Sequence, residues 1–333
     1  MSCDAAPVVV AEAMDSEGEG GCAVPDLDFG GRVATDLEGV DLTLQRARAE
    51  VAMRSHDVQA RLALIAVQSG GDGEVGVGGQ AFVPALQIAE ARYDLRAAGL
   101  AVAGGLVDDP WLMVVQGTWG NIALERPMAA DRGWVERSDV GMWAGFTAPK
   151  RQLSATVGVA TGEGARAREV NAEPDVTGVV WVRPQAGTDA DVQIEAAASG
   201  RYGTRGPDSA PDHRAAAAVF VRHDLVVVGI DGMLGWGLAG DGDARPAGLS
   251  AWARNGAASP LHALVRVDAA TDRMGTDPAE LLGLVAAGPR LPWGERQAPG
   301  SLVLGYEVRA AEEVGHRVFL QLGARVRGAI PLP

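Results

Sequence analysis

The sequence predicts an all-β chain folded as a single antiparallel transmembrane β-barrel of about 16 strands. Three observations carry that expectation. Apolar and polar residues alternate in short runs along nearly the whole chain, as strands with one apolar and one wet face require. Tight turns and longer polar connections follow one another in rough alternation, as they do when one end of a barrel is kept short and the other is free to grow. No segment approaches the roughly 20 consecutive apolar residues of a membrane helix. A closed barrel is then the remaining way to cross lipid with every backbone group paired.

Composition supports the class and excludes others. The chain has 333 residues, 47% of them hydrophobic but only 5% aromatic, with 45 glycines. Amphipathic helical segments with apolar residues at three- and four-residue spacing are few. A net charge of −14 excludes nucleic acid as a partner, because phosphate backbones demand basic patches. Lys150 is the only lysine; every other basic side chain apart from histidine is arginine.

Residues 1–27 are acidic, Gly-rich and unpatterned and are expected to form a flexible leader, leaving residues 28–333 for the barrel. Cys3 and Cys22, both in that leader, fit either one disulfide in an oxidising compartment or two free thiols. Export of a barrel also implies a secretory signal, and none is visible at the N-terminus.

From Thr43 to Ser55 one face carries Thr43, Gln45, Ala47, Ala49, Val51 and Met53, and the other Leu44, Arg46, Arg48, Glu50, Ala52 and Arg54. His56 and Asp57 turn the chain into Val58–Gln68, where Val58, Ala60, Leu62 and Leu64 alternate with Gln59, Arg61, Ala63 and Ile65. Further short turns are expected near Ala97–Gly99, Ala148–Arg151, Pro184–Ala190, His223–Asp224 and Ala310–Gly315. Longer loops are expected near Ser69–Gln80, Arg126–Gly133, Gly162–Pro174, Gly203–Asp212, Gly240–Ala247, Ala270–Asp277 and Gly288–Pro299. Strand assignments are open near Leu112–Gln116 and Leu281–Val285. Barrels of 16–18 strands leave an aqueous channel.

Six segments stand out in order between residues 40 and 184: Leu44-Gln45-Arg46-Ala47-Arg48, the run from Glu90 to Arg96, the run from Leu100 to Trp111, Leu124-Glu125-Arg126-Pro127, Thr161-Gly162-Glu163-Gly164, and Val176-Thr177-Gly178 with Val182-Arg183-Pro184. In that order they resemble strands of the phosphate-selective porin O and P family of Gram-negative bacteria. The resemblance implies an outer-membrane porin, assembled as a homotrimer, that passes small hydrophilic solutes or ions by diffusion and contacts outer-membrane lipid. It departs from the family at Gly105 and Val107, where the family carries basic residues, and in having a single lysine, so phosphate preference does not carry over.

With the apolar faces toward lipid, the lumen receives Arg46, Arg48, Arg61, Glu90, Arg92, Asp94, Glu125, Arg137 and Asp139. These are the candidate pore-lining residues, with Arg46, Arg48, Arg61 and Arg92 forming a basic strip if the strands pair consecutively. Rings of such charges set ion preference, and paired charges stiffen a wall. The eight tryptophans fall mostly near expected strand ends, which suits either an interfacial aromatic girdle or core packing.

No catalytic constellation is present, so an enzyme is not expected. Two cysteines and five scattered histidines give no metal site, and Asp241-Gly242-Asp243 lacks the spacing and closing Glu of a calcium loop. No cofactor is expected. Two other functions remain open from the residues alone. One is a non-conducting structural or adhesive outer-membrane barrel, which the apolar lumen positions Leu44, Ala63, Ile65 and Val67 favour. The other is a soluble secreted β-protein, which the missing signal and scarce aromatics favour.

Overall fold

The computed structural model describes residues 22–35, 39–69, 81–119, 126–162, 164, 173–188, 190–206, 208–238, 241–256, 259–293, 298–311, 314–327 and 330–331. Sixteen long strands make the wall. They are β1 (Cys22–Thr35), β2 (Val40–Ser55), β3 (Val58–Ser69), β4 (Ala81–Leu95), β5 (Leu100–Asp108), β6 (Ser138–Thr147), β7 (Leu153–Ala160) and β8 (Asp175–Val182). There follow β9 (Val192–Tyr202), β10 (His213–His223), β11 (Val226–Trp236), β12 (Ala247–Asn255), β13 (Leu261–Thr271), β14 (Glu280–Trp293), β15 (Ala298–Ala310) and β16 (Val314–Arg327). Each pairs antiparallel with the next, and β16 returns to β1 with Asp26 opposite Arg327 and Thr35 opposite Val318. The sheet therefore closes as a 16-stranded barrel, which leaves no exposed strand edge. Among the described residues no helix is long and apolar enough to cross a membrane.

The pleat sets the two faces. On β3, Leu62 is 50% exposed on the outer surface while its neighbours Arg61 and Ala63 are 8% and 0% exposed on the inner one. The pattern recurs around the wall, with Val228, Ile230 and Leu234 facing out on β11 and Val265 and Val267 on β13. Outside the barrel is thus a band of aliphatic side chains, and inside lie the charges.

Connections differ by end. The turn end joins β2 to β3 through residues 56–57, β4 to β5 through 96–99, and β10 to β11 through 224–225. At the loop end β3, β5, β7, β9 and β11 finish and β4, β6, β8, β10 and β12 begin, and the connection from β5 to β6 is described over 109–119 and 126–137.

Several boundaries differ from those expected. The wall begins at Cys22, inside the stretch read as leader; β1 pairs along its whole length with β2, from Cys22 opposite Arg54 onward. Cys22 is disulfide-bonded. The loop expected at Gly288–Pro299 is mostly strand. The β14–β15 ladder lapses between the pairs Ala287–Leu304 and Arg290–Ser301, and that lapse receives Pro289, whose missing N–H would otherwise break the ladder. A turn at residues 256–260, unmarked in the reading of the sequence, separates β12 from β13. The tight connection near Ala310–Gly315 lies at the loop end and not among the turns. Leu281–Val285 is strand, and Leu112–Gln116 is helix.

Candidate functional site

Between β5 and β6, residues 109–119 and 126–137 fold into the barrel and pack its interior. It carries α1 (Pro110–Trp119) and a single turn, α2 (Met128–Asp131). Asp109 caps α1 by accepting the Leu112 N–H at 2.9 Å, and Pro110 takes the first helical position, where an N–H is not needed. Trp111, Leu112, Val114, Val115, Thr118 and Trp119 are all buried. A helix apolar on most of its circumference belongs in a core. Here the core is the lumen, because α1 packs against inward residues such as Val179 and Trp181 of β8, Phe220 of β10, Trp252 of β12 and Leu284 of β14.

Glycines of the wall make room for this packing. A Cβ on Gly229 would lie 2.3 Å from the Trp252 ring, and one on Gly305 would lie 2.1 Å from the Phe319 ring. Each glycine sits directly across the ladder from its aromatic partner. On Gly248 a Cβ would meet the Met128 sulfur at 2.8 Å, so that glycine admits α2.

Polar contacts pin the inserted segment at both ends. Trp134 Nε1 donates to Asp272 at 2.7 Å, and Arg214 Nε donates to the Trp134 carbonyl at 3.3 Å. Arg266, fixed by Asp268, donates to the Arg126 carbonyl at 2.5 Å and lies over the Trp119 ring. At the C-terminus of α1, Arg222 donates to the Thr118 hydroxyl at 2.9 Å and Arg254 to the Thr118 carbonyl at 3.1 Å. Arginine at a helix C-terminus answers both its open carbonyls and its dipole.

Opposite the helix, β2 to β5 present a charged wall. Arg61 is its hub. It donates to Glu50 at 2.9 Å and Asp108 at 3.1 Å, and it lies 3.9 Å from Glu90. Arg48 pairs with Glu50 at 2.6 Å, and Arg137 approaches Asp108 at 3.5 Å. Arg92 holds Asp94 at 2.6 Å, with Gln59 on the second Asp94 oxygen at 2.8 Å, and its guanidinium lies over the Trp143 ring. A second network stands at the loop end, where Arg201 binds Asp175 and Arg214 binds Asp212 at 2.5 Å; Arg201 and Arg205 both donate to the Gly162 carbonyl at 3.0 Å.

Of the residues singled out in the sequence, Arg48, Arg61, Glu90, Arg92 and Asp94 are brought together on this wall, and Arg137 reaches it from the end of the inserted segment. Asp139 stands apart at the loop-end rim, where it accepts the Thr161 hydroxyl at 2.7 Å and the Gly162 N–H at 2.8 Å. Glu125 and the Arg46 side chain lie outside the described residues. The strands pair consecutively, as the basic strip required, but the strip is not bare. Each of Arg48, Arg61 and Arg92 is answered by a carboxylate from its own or a neighbouring strand. The partners Glu50 and Asp108, and the whole Asp175–Arg201–Asp212–Arg214 network, were not picked out in the sequence. Period-2 counting from Arg48 reaches Glu50, whereas the second network depends on which strands meet.

Of the two readings of the tryptophans, girdle or core packing, six of the eight take the second. Trp111, Trp119, Trp134, Trp143, Trp181 and Trp252 are buried inside the barrel, and Trp119 meets Trp252 edge to face with centroids 4.9 Å apart. Their apolar bulk packs the lumen around α1. The aromatics on the outer surface near the two rims are mostly others: Tyr202, Tyr306 and Trp236 at the loop end, Tyr93 and Phe146 at the turn end.

Wall and interior together define a closed 16-stranded antiparallel barrel, its lumen divided between an inserted helix and a charged wall. No protein-family model and no curated protein matches the chain in sequence. Solved structures match it in fold. A loop L8 deletion mutant of OmpT, an outer membrane protein of Vibrio cholerae, aligns with a TM-score of 0.59 at 8% identity, over 93% of this chain and 100% of that one. The outer membrane protein OpdK of Pseudomonas aeruginosa aligns at 0.53 and 8% identity, over 92% and 99%. OprB of Pseudomonas putida aligns at 0.54 and 10% identity, over 92% and 93%.

Proposed function

We propose that this protein is a porin-like channel of the outer membrane that passes small hydrophilic solutes or ions by diffusion. The observation that carries the reading is the interior. A closed 16-stranded wall has a segment folded into it that narrows the lumen while leaving charged side chains along β2 to β5. Barrels of this strand number enclose an aqueous space, and an inserted segment sets its bore. The solved structures of like fold include a BenF-like porin from Pseudomonas fluorescens. We propose no chemistry and no cofactor. A homotrimer is the assembly proposed, in keeping with the trimer form in which OmpT of Vibrio cholerae was solved.

Liposome swelling tests the function. Vesicles reconstituted with the folded protein should swell in isosmotic solutions of small neutral sugars, at rates that fall steeply as the sugar grows. Vesicles that swell no faster than protein-free ones, while holding protein that runs as a folded, heat-modifiable band, would reject the channel.

A further inference from the structure

Beside the ion-paired networks, the lumen charges that make no ion pair among the described residues are sorted by end, and the sorting deepens the channel reading, on which it rests. At the loop end three carboxylates are held by neutral donors. Asp109 accepts the Leu112 N–H, Asp139 the Thr161 hydroxyl and Gly162 N–H, and Asp272 the Trp134 indole N–H. None of the three makes an ion pair among the described residues. At the turn end the signs are reversed. Arg54 and Arg254 make no ion pair among the described residues, and Arg254 donates only to carbonyls, those of Thr118 and Asn255. Beside Arg254, and repelling it, stand Arg222 and Arg290, with His262 in the same corner. Arg222 itself pairs with Glu195 at 2.6 Å.

The placement follows from the strands. Arg54, Arg222, Arg254 and Arg290 all lie in the last few residues of strands running down to the turns. Asp109, Asp139 and Asp272 lie where β5, β6 and β13 reach the loops. Helix α1 runs between the two poles, with its N-terminus at Asp109 and its C-terminus at Arg222 and Arg254. Its dipole amounts to about half an elementary charge at each end. That offsets a fraction of each pole and cancels neither.

We infer that the lumen is an electrically bipolar pore, negative at the loops and positive at the turns, and that it therefore rectifies ion current. With the loop side at positive voltage, cations enter past the carboxylates and anions past the guanidiniums, so both accumulate in the lumen and conductance rises. With the voltage reversed each ion must enter through the pole that repels it, and the lumen is depleted. The effect depends on fixed charge reaching across the bore, so it fades as salt shortens the screening length from about 10 Å at 0.1 M to about 3 Å at 1 M.

Current–voltage curves of single channels in planar bilayers test this. In about 0.1 M KCl each wild-type channel should show a ratio of conductances at opposite voltages of at least about 1.5, falling toward unity in about 1 M KCl. The double variant Arg54→Gln/Arg254→Gln should lower the low-salt ratio toward unity, whereas Arg254→Lys should keep it. Asp272→Asn reads the same property from the other pole and should lower the ratio too, so the test survives if the arginine variant fails to fold. A symmetric low-salt curve for wild type, or a ratio unchanged in both folded neutralised variants, overturns the inference while leaving the channel standing. The absence of any current steps from folded protein overturns both.

Discussion

Arg61 concentrates the electrostatics of the charged wall. Its guanidinium is shared by Glu50, Glu90 and Asp108, and all four side chains are largely shielded from solvent. Removing one member of a buried charge network leaves the others without a counter-charge, which costs about 3–5 kcal/mol. Arg61→Met should therefore destabilise the barrel by an amount in that range, read as a fall in the urea midpoint of the folded electrophoretic band. Glu90→Gln, at the long 3.9 Å contact, should cost less. Asp109 supplies a pH dependence at the same scale. Burial pushes its carboxyl up to about 6, against the lowering effect of the Leu112 N–H it accepts. A raised carboxyl pKa means the folded protein binds a proton that the unfolded chain has released. Its contribution to stability is therefore present in acid, declines as pH rises from the ordinary carboxylate range through about 6, and is flat above that. Asp109→Asn keeps the helix cap and should flatten this part of the stability profile, measured as thermal midpoints across that window.

Helix α1 is the element on which the interior depends, and it is also the element the sequence hid. A charge placed at the buried Val115 has no partner among the apolar residues packed there, so Val115→Asp should dislodge the segment and raise single-channel conductance with the wall intact. The wall answers to packing in the same way. Gly305→Val would press a side chain into the Phe319 ring and should cost about 1–3 kcal/mol, measured by the same urea midpoint. What was legible in the sequence was whatever depends on period 2. The faces of β2 and β3, the turn at His56–Asp57 and the inward direction of Arg48, Arg61, Arg92 and Asp94 all follow from alternation. The run from Leu100 to Trp111 read as one strand through its likeness to a strand of the porin family. Strand β5 in fact ends at Asp108, and the Asp109-Pro110 pair starts a helix. That pair was a usable signal, since Asp as cap and Pro at the first position mark a helix start. The salt-bridge partners on other strands were not legible, because Asp175 meets Arg201 and Arg61 meets Asp108 only once the strand order and register are fixed.

The whole molecule is a closed wall whose outside is aliphatic and whose inside is charged on one side and filled by a helix on the other. The outer band has physical meaning only if lipid faces it. Leu62, half exposed in the middle of β3, should tolerate polar substitution in a water-soluble sandwich, but Leu62→Arg in a bilayer should cost about 2–4 kcal/mol, read by folding into lipid vesicles. The barrel architecture accounts for the alternation, the two classes of connection and the absence of a spanning helix among the described residues together. Its central functional claim is that the lumen beside α1 stays open along the wall of β2 to β5. Single-channel recording from purified, folded protein in a planar bilayer tests that claim most directly. Discrete steps of one uniform size are expected, enlarged by Val115→Asp. Folded protein that inserts and gives no steps, in wild type and variant alike, would contradict it.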